Sequence, residues 1–184
     1  MLDFAGFSPG ALLMDVCCGE GATVEYLLES GFNARGIDRI LPLPGTVTLC
    51  GSAYELPCSG GELDGILCEC ALSILEYPDD ALREWSRVLR PDGRLLLSDL
   101  YSQGEGGGVE KFRNLFSRQG IERLLLCHGF AIQYFGDCSS ALAAFVGQTL
   151  LEGKRETLFS PTNENHIEMK RLKCSYYVLV ADKL

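Results

Sequence analysis

Basic residues are in short supply. The 184-residue chain holds 16 Lys and Arg against 25 Asp and Glu, a formal charge of −9. Duplex DNA and anionic membranes are bound through clustered cations, so neither is expected as the main partner. RNA is disfavoured on the same ground, with only Arg113, Arg118 and Arg123 as a local basic patch. No apolar run approaches the roughly 20 residues that span a bilayer. Residues 1–10 do not read as a secretory leader, and nine cysteines outside any small scaffold predict a reducing, cytoplasmic setting. Only two histidines are present, His128 and His166, with no pattern for a catalytic triad. His128 is expected to bond the last carbonyls of a helix, and His166 lies in a polar stretch. No Cys-x-x-Cys occurs. Cys17-Cys18 and Cys68-x-Cys70 do not fit zinc spacings, so no metal site is expected. Internal repeats are absent, and low complexity is confined to Gly104–Gly108.

What is present is alternation. The length predicts one domain, 1–184, and 47% hydrophobic residues suffice for one core. Strand-like and helix-like segments alternate, the pattern of parallel βα units. Strands are expected over Ala11–Val16, Asn33–Asp38, Thr46–Cys50, Leu63–Cys68, Arg94–Leu100, Phe130–Phe135 and Ser175–Ala181. Helices are expected over Gly21–Ser30, stopped by Gly31, and over Asp79–Arg90, capped by Asp79 and stopped by Pro91-Asp92-Gly93. Leu82, Trp85 and Leu89 form a core stripe on the second of these. Further helices are expected from about Val109 to His128, weakened at Gly120, and over about 139–151. Leu41–Gly45 and about 153–170 are expected as loops.

The densest chemistry lies in Asp15-Val16-Cys17-Cys18-Gly19-Glu20-Gly21. An apolar strand ends in an acid, and a glycine turn opens a helix. Glycines let backbone approach a ligand, and the free N–H groups of a helix start favour a polar or anionic group. Seventeen residues after Gly21 a second apolar run ends in an acid, Asp38, placed to accept ribose hydroxyls. A dinucleotide fingerprint would need a third glycine where Val24 stands. Asp15 would also repel a pyrophosphate, whereas it suits an ammonium or sulfonium.

This stretch resembles motif I of the class I S-adenosylmethionine-dependent methyltransferases, acid-x-Gly-x-Gly-x-Gly, with Cys17 in place of the first glycine. Gly36-Ile37-Asp38 resembles motif II. Cys50-Gly51-Ser52-Ala53-Tyr54-Glu55-Leu56-Pro57 resembles the Gly-Asp-Ala-x-x-Leu-Pro segment, with Ser52 for Asp. Leu63–Glu69, Arg87–Leu96, Gly129-Phe130 and Tyr176–Lys183 continue the likeness, which covers Ala11 to Lys183. It is nearest to the small-molecule branch that includes ubiquinone and arsenite methyltransferases.

The resemblance implies an α/β Rossmann-like fold: a seven-stranded, mostly parallel sheet with an antiparallel last strand and helices on both faces. It implies S-adenosyl-L-methionine as cofactor. Asp15, Cys17, Gly19 and Gly21 would shape the methionine end, Asp38 and Arg39 the ribose, and Ser52 and Ala53 the adenine. Cys68 and Glu69 would flank the reacting methyl. Glu69 and Tyr101 are the candidates for a catalytic role towards a small-molecule acceptor. Such enzymes carry an N-terminal segment over the cofactor. Here about ten residues precede strand one, which predicts a short lid, or a homodimer or partner chain covering the site. Two other classes stay open: a non-catalytic, cofactor-binding or partner subunit of the same fold, and a thiol-rich metal or metalloid protein.

Overall fold

The computed structural model describes residues 1–40, 48–108, 113–151, 167 and 170–184. In chain order its elements are α1 (Leu2–Ala5), β1 (Leu12–Val16), α2 (Ala22–Glu29), β2 (Asn33–Asp38), β3 (Thr48–Cys50), β4 (Leu63–Glu69), α3 (Pro78–Val88), β5 (Leu89–Ser102), α4 (Arg118–Cys127), β6 (Phe130–Asp137), α5 (Ser139–Leu151) and β7 (Cys174–Lys183). The expected loops at Leu41–Gly45 and 153–170 fall largely outside the described residues, as does His166.

The strands form one sheet in the order β3-β2-β1-β4-β5-β7-β6. The first five are parallel; β7 runs antiparallel to both β5 and β6. The interior parallel strands are covered on both faces, which is why β1 and β4 read as continuous apolar runs rather than alternating ones. Alternation decides which face each side chain joins. Leu13, Ala34, Leu67, Leu96 and Val180 pack under α1 and α2 with Ala5, Val24 and Leu27. Met14, Ile66, Leu95, Leu97 and Leu179 pack under α3 and α4 with Leu82, Trp85, Ile121 and Leu125. Gly36 lets α2 lie close to β2, since a Cβ there would sit 2.6 Å from Cys18 Sγ and 2.8 Å from Val24 Cγ2. β1 lies where the strand order reverses, so the crevice outside its carboxyl end is the place for a ligand.

Several expected boundaries move. Asp79 does not cap α3: Pro78 occupies the first turn, Tyr77 precedes it, and Asp79 lies inside the helix. Its carboxylate instead meets His128 Nε2 at 2.9 Å, so the histidine ring pairs with α3 rather than with carbonyls of its own helix. α3 ends at Val88 because Leu89 is already extended and pairs with Leu63. β5 therefore starts five residues before the expected Arg94 and runs through Pro91-Asp92-Gly93. α4 starts at Arg118, not near Val109. Ser117 caps it, its hydroxyl accepting from Gly120 N–H, while Gly107 and Leu115 exchange backbone hydrogen bonds. Gly120 thus sits in the capped first turn, where its helix weakness costs little. α1 does not form a lid. Ala5 is buried against the sheet face, and none of residues 1–10 lines the cavity described next.

Candidate active site

A cavity of about 680 Å³ opens at the carboxyl ends of β1, β2 and β4. Its floor is the turn after β1. Cys17 and Cys18 N–H both donate to Ile37 O, at 2.8 and 3.2 Å, which clamps the turn to β2. Cys17, Gly19 and Gly21 all take left-handed φ values, 63°, 54° and 90°. The glycines do so freely, whereas the cysteine is held there at a cost of order 1 kcal/mol. No heavy atom lies within 4 Å of where a Gly19 Cβ would stand, so this side of the turn is open. Asp38 closes the turn from β2, one carboxylate oxygen accepting from Gly19 N–H and the other from Ile40 N–H, each at 2.9 Å.

Asp15 lies beneath, 3% exposed. Among the described residues no donor reaches its carboxylate. Burial, then the charges of Glu69 and Asp38, push its pKa up to about 7. The two acids that sequence spacing singles out therefore sense each other's charge. Glu69 lines the cavity and is held from both sides: Thr23 Oγ1 of α2 donates at 3.0 Å, Ser98 Oγ of β5 at 3.4 Å. Tyr176 of β7 donates to Ser98 Oγ at 2.9 Å, and its hydroxyl lies 3.3 Å from Cys70 Sγ. Burial raises both the Tyr176 hydroxyl and the Cys70 thiol, so both are neutral donors near pH 7.

The opposite wall is the Ser52–Ala53 turn, positioned by α3. Trp85, fully buried, donates its indole N–H to Ala53 O at 3.0 Å. Glu84 adds an acceptor for Leu56 N–H at 2.8 Å; Arg87 beside it holds its carboxyl below the usual range. The third wall, Cys70 to Leu75, is pinned by buried Asp99, which accepts from Ser73 N–H and Oγ–H at 2.7 and 2.8 Å. Burial raises the Asp99 carboxyl and these hydrogen bonds oppose it. At the rim Arg113 meets Glu76 at 3.5 Å.

Of the residues singled out in the sequence, Cys17, Asp38, Arg39, Ser52, Ala53 and Glu69 line this cavity. Asp15, Gly19 and Gly21 do not line it; they stand before and within the turn that Cys17 opens. Cys68 and Tyr101 do not line it; both are buried in the core. Asp15, Glu69 and Ser98 belong to the α2 face, whereas Cys68 and Tyr101 point to the α3 and α4 face. Cys68 is 1% exposed. Tyr101 packs edge-on against Phe135 and Tyr177 and donates to Asp137. Its neighbour Ser102 bonds Leu172 O. Thr23, Ser98, Tyr176 and Trp85 were not singled out as site residues. Counting by twos along β5 and β7 from Glu69's partner Ser98 would have found two of them. Among the described residues no three His, Cys, Asp or Glu side chains are grouped to hold a metal ion, and no helix is long and apolar enough to cross a membrane.

Sheet order, glycine turn and strand-end acids are arranged as in the Rossmann-like methyltransferase fold. Residues 14–97 match the family described as methyltransferase domain. The chain is 30% identical over 112 residues to an uncharacterized methyltransferase of Synechocystis sp., covering 54% of this chain and 52% of that one. It is 26% identical over 107 residues to the demethylmenaquinone methyltransferase of Renibacterium salmoninarum, covering 54% and 45%. The chain thus spans about half the length of these relatives. Its fold superposes on geranyl diphosphate C-methyltransferase of Streptomyces coelicolor A3(2), solved with S-adenosyl-L-homocysteine, with TM-score 0.79 at 15% identity, covering 100% of this chain and 76% of that one.

Proposed function

We propose that the cavity binds S-adenosylmethionine and that the chain directs its methyl group to a small-molecule acceptor. One observation carries this reading: Asp38, the Ser52–Ala53 turn and Cys17, which opens the glycine turn after Asp15, line a single cavity. The residues fit the ligand. Asp15 is buried without a donor, and an amino acid ammonium would supply one. Asp38 uses one lone pair on each oxygen and keeps the others for ribose hydroxyls. Ala53, fixed by Trp85, offers a rigid edge to a planar base.

The bound sulfonium brings an already activated methyl group, so the protein's work is placement. Cys17 to Gly21 hold the amino acid portion. Glu69, fixed by Thr23 and Ser98, accepts a hydrogen bond, or a proton where the acceptor must lose one. The cavity volume suits one cofactor with a small acceptor, in keeping with the quinone named for one relative. A second copy or another chain completes the cover over the open mouth; sedimentation with and without S-adenosylhomocysteine tests that part.

Calorimetric titration with S-adenosylhomocysteine tests the core of the reading. Saturable one-to-one binding is expected, lost in Asp38→Ala. Absence of binding by the wild-type chain, shown folded by circular dichroism, refutes it.

A further inference from the structure

Cys17 stands where the motif that this turn resembles has its first glycine, and it adopts φ 63° nonetheless. Its thiol lines the cavity. Behind it, on the neighbouring strand, stands Cys68, 1% exposed. The strands are paired, with Asp15 opposite Leu67, so Cys68 falls level with Val16 and Cys17 is its diagonal neighbour. Strands about 4.8 Å apart with a rise of about 3.3 Å per residue put the two Cα atoms about 6 Å apart, within the 4.4–6.8 Å or so that a disulfide spans. Cys17 packs against the buried cluster that contains Cys68.

We propose that Cys17 and Cys68 form a redox-sensitive thiol pair, oxidised by hydroperoxides to a disulfide that disables the ligand-holding turn. The two thiols have unequal roles. Cys17 faces the cavity, and the neighbouring Cys68 thiol lowers its pKa against burial and the charges of Asp38 and Asp15, with Arg39 assisting. Cys68 is raised by Cys17 and by burial. An accessible, more acidic thiol beside a second thiol is the arrangement that oxidises reversibly.

The Cys17 thiolate attacks the distal peroxide oxygen. The O–O bond breaks, the leaving oxide takes up the thiol proton as water or alcohol, and Cys17 becomes a sulfenic acid. The Cys68 sulfur attacks the Cys17 sulfur, the S–O bond breaks, and hydroxide leaves with the Cys68 proton as water. Two thiols lose two electrons to one hydroperoxide. The same turn carries Gly19, whose N–H holds Asp38. Tying Cys17 to β4 therefore displaces the point where two walls of the cavity meet. This last consequence rests on the ligand reading above; the disulfide does not.

The test treats the reduced full-length chain with one equivalent of hydrogen peroxide and maps thiols by alkylation and non-reducing peptide mass spectrometry. Two of the nine thiols are expected to be lost together, in one linked peptide joining 17 to 68, restored by dithiothreitol. In Cys68→Ala, Cys17 is expected to stop at the sulfenic acid and be trapped by a cyclic 1,3-diketone. In Cys17→Gly, where the turn keeps its φ without strain, no linked peptide forms. A linkage of Cys17 to Cys18 or Cys70, or Cys17 still alkylatable while other thiols oxidise, overturns the pair. Titration with S-adenosylhomocysteine before oxidation, after it and after re-reduction reads the gating: binding is lost and regained. Equal binding by the reduced and disulfide forms overturns the gating. Binding by neither form overturns the ligand reading instead and leaves the mapped disulfide standing.

Discussion

Replacing Asp15 by Asn should make the protein more stable at alkaline pH while weakening its ligand binding. The carboxyl is buried without a donor and its pKa lies at about 7 rather than the ordinary 3.8. The folded state therefore keeps a proton that the unfolded chain releases. Between those values each pH unit lowers the stability of the wild type by about 1.36 kcal/mol, and above pH 7 the loss levels off. From pH 5 to pH 8 this amounts to about 2.5 kcal/mol lost through Asp15 alone. Asn cannot titrate. Any cost of its buried amide, about 1–3 kcal/mol, is the same at both pH values and cancels in the comparison. Urea denaturation followed by the fluorescence of Trp85, the single tryptophan, gives both free energies. The expected result is a gap between Asn and Asp that moves by about 2.5 kcal/mol in favour of Asn from pH 5 to pH 8. A gap that stays constant, or moves the other way, refutes the assignment of a buried, donor-free carboxyl. A ligand ammonium should favour the ionised form, so wild-type affinity for S-adenosylhomocysteine should rise as pH passes through 7 and that of the Asn variant should not.

Trp85→Phe keeps most of the buried ring but removes the N–H that holds Ala53. It should cost about 1–3 kcal/mol of stability, because a carbonyl loses its partner and a small void opens, and it should weaken adenosine-portion binding more than methionine binding, as competition titrations with adenosine and methionine would show. Gly36→Ala puts a methyl group 2.6 Å from Cys18 Sγ and 2.8 Å from Val24 Cγ2. A loss of about 1–3 kcal/mol is expected from overpacking, visible as a lower urea midpoint with unchanged slope, and Cys18→Ala in the same chain should recover part of it.

The strand ends were legible because buried parallel strands must be apolar and must stop where the chain turns. Asp15 and Asp38 mark two such stops, and the pairing of β1 with β2 brings them near enough to sense each other's charge. Gly19 and Gly21 were legible because few other residues take their φ cheaply. The errors have physical causes too. Asp79 looked like a cap, but Pro78, lacking an N–H, is better suited to the first turn. The stretch before Arg118 has helix-like apolar spacing, yet Ser117 can cap and the glycines before it favour an extended pairing with Leu115. Tyr101 and Cys68 were assigned by distance along the chain from a strand end, which does not tell that both side chains are taken up by the core.

The amino acid sequence alone determined the order of elements, the parallel sheet and the turn at which a ligand would sit, because these follow from local backbone freedom and from the need to bury apolar runs. Tertiary packing alone decided which side chains meet there. Trp85 reaches Ala53 across 32 positions and Tyr176 reaches Ser98 across 78. Asp15 acquires its raised pKa from burial and from the charges of Glu69 and Asp38, which folding brings near it. Contacts of that range depend on strand register and helix docking, and no local pattern of residues encodes either.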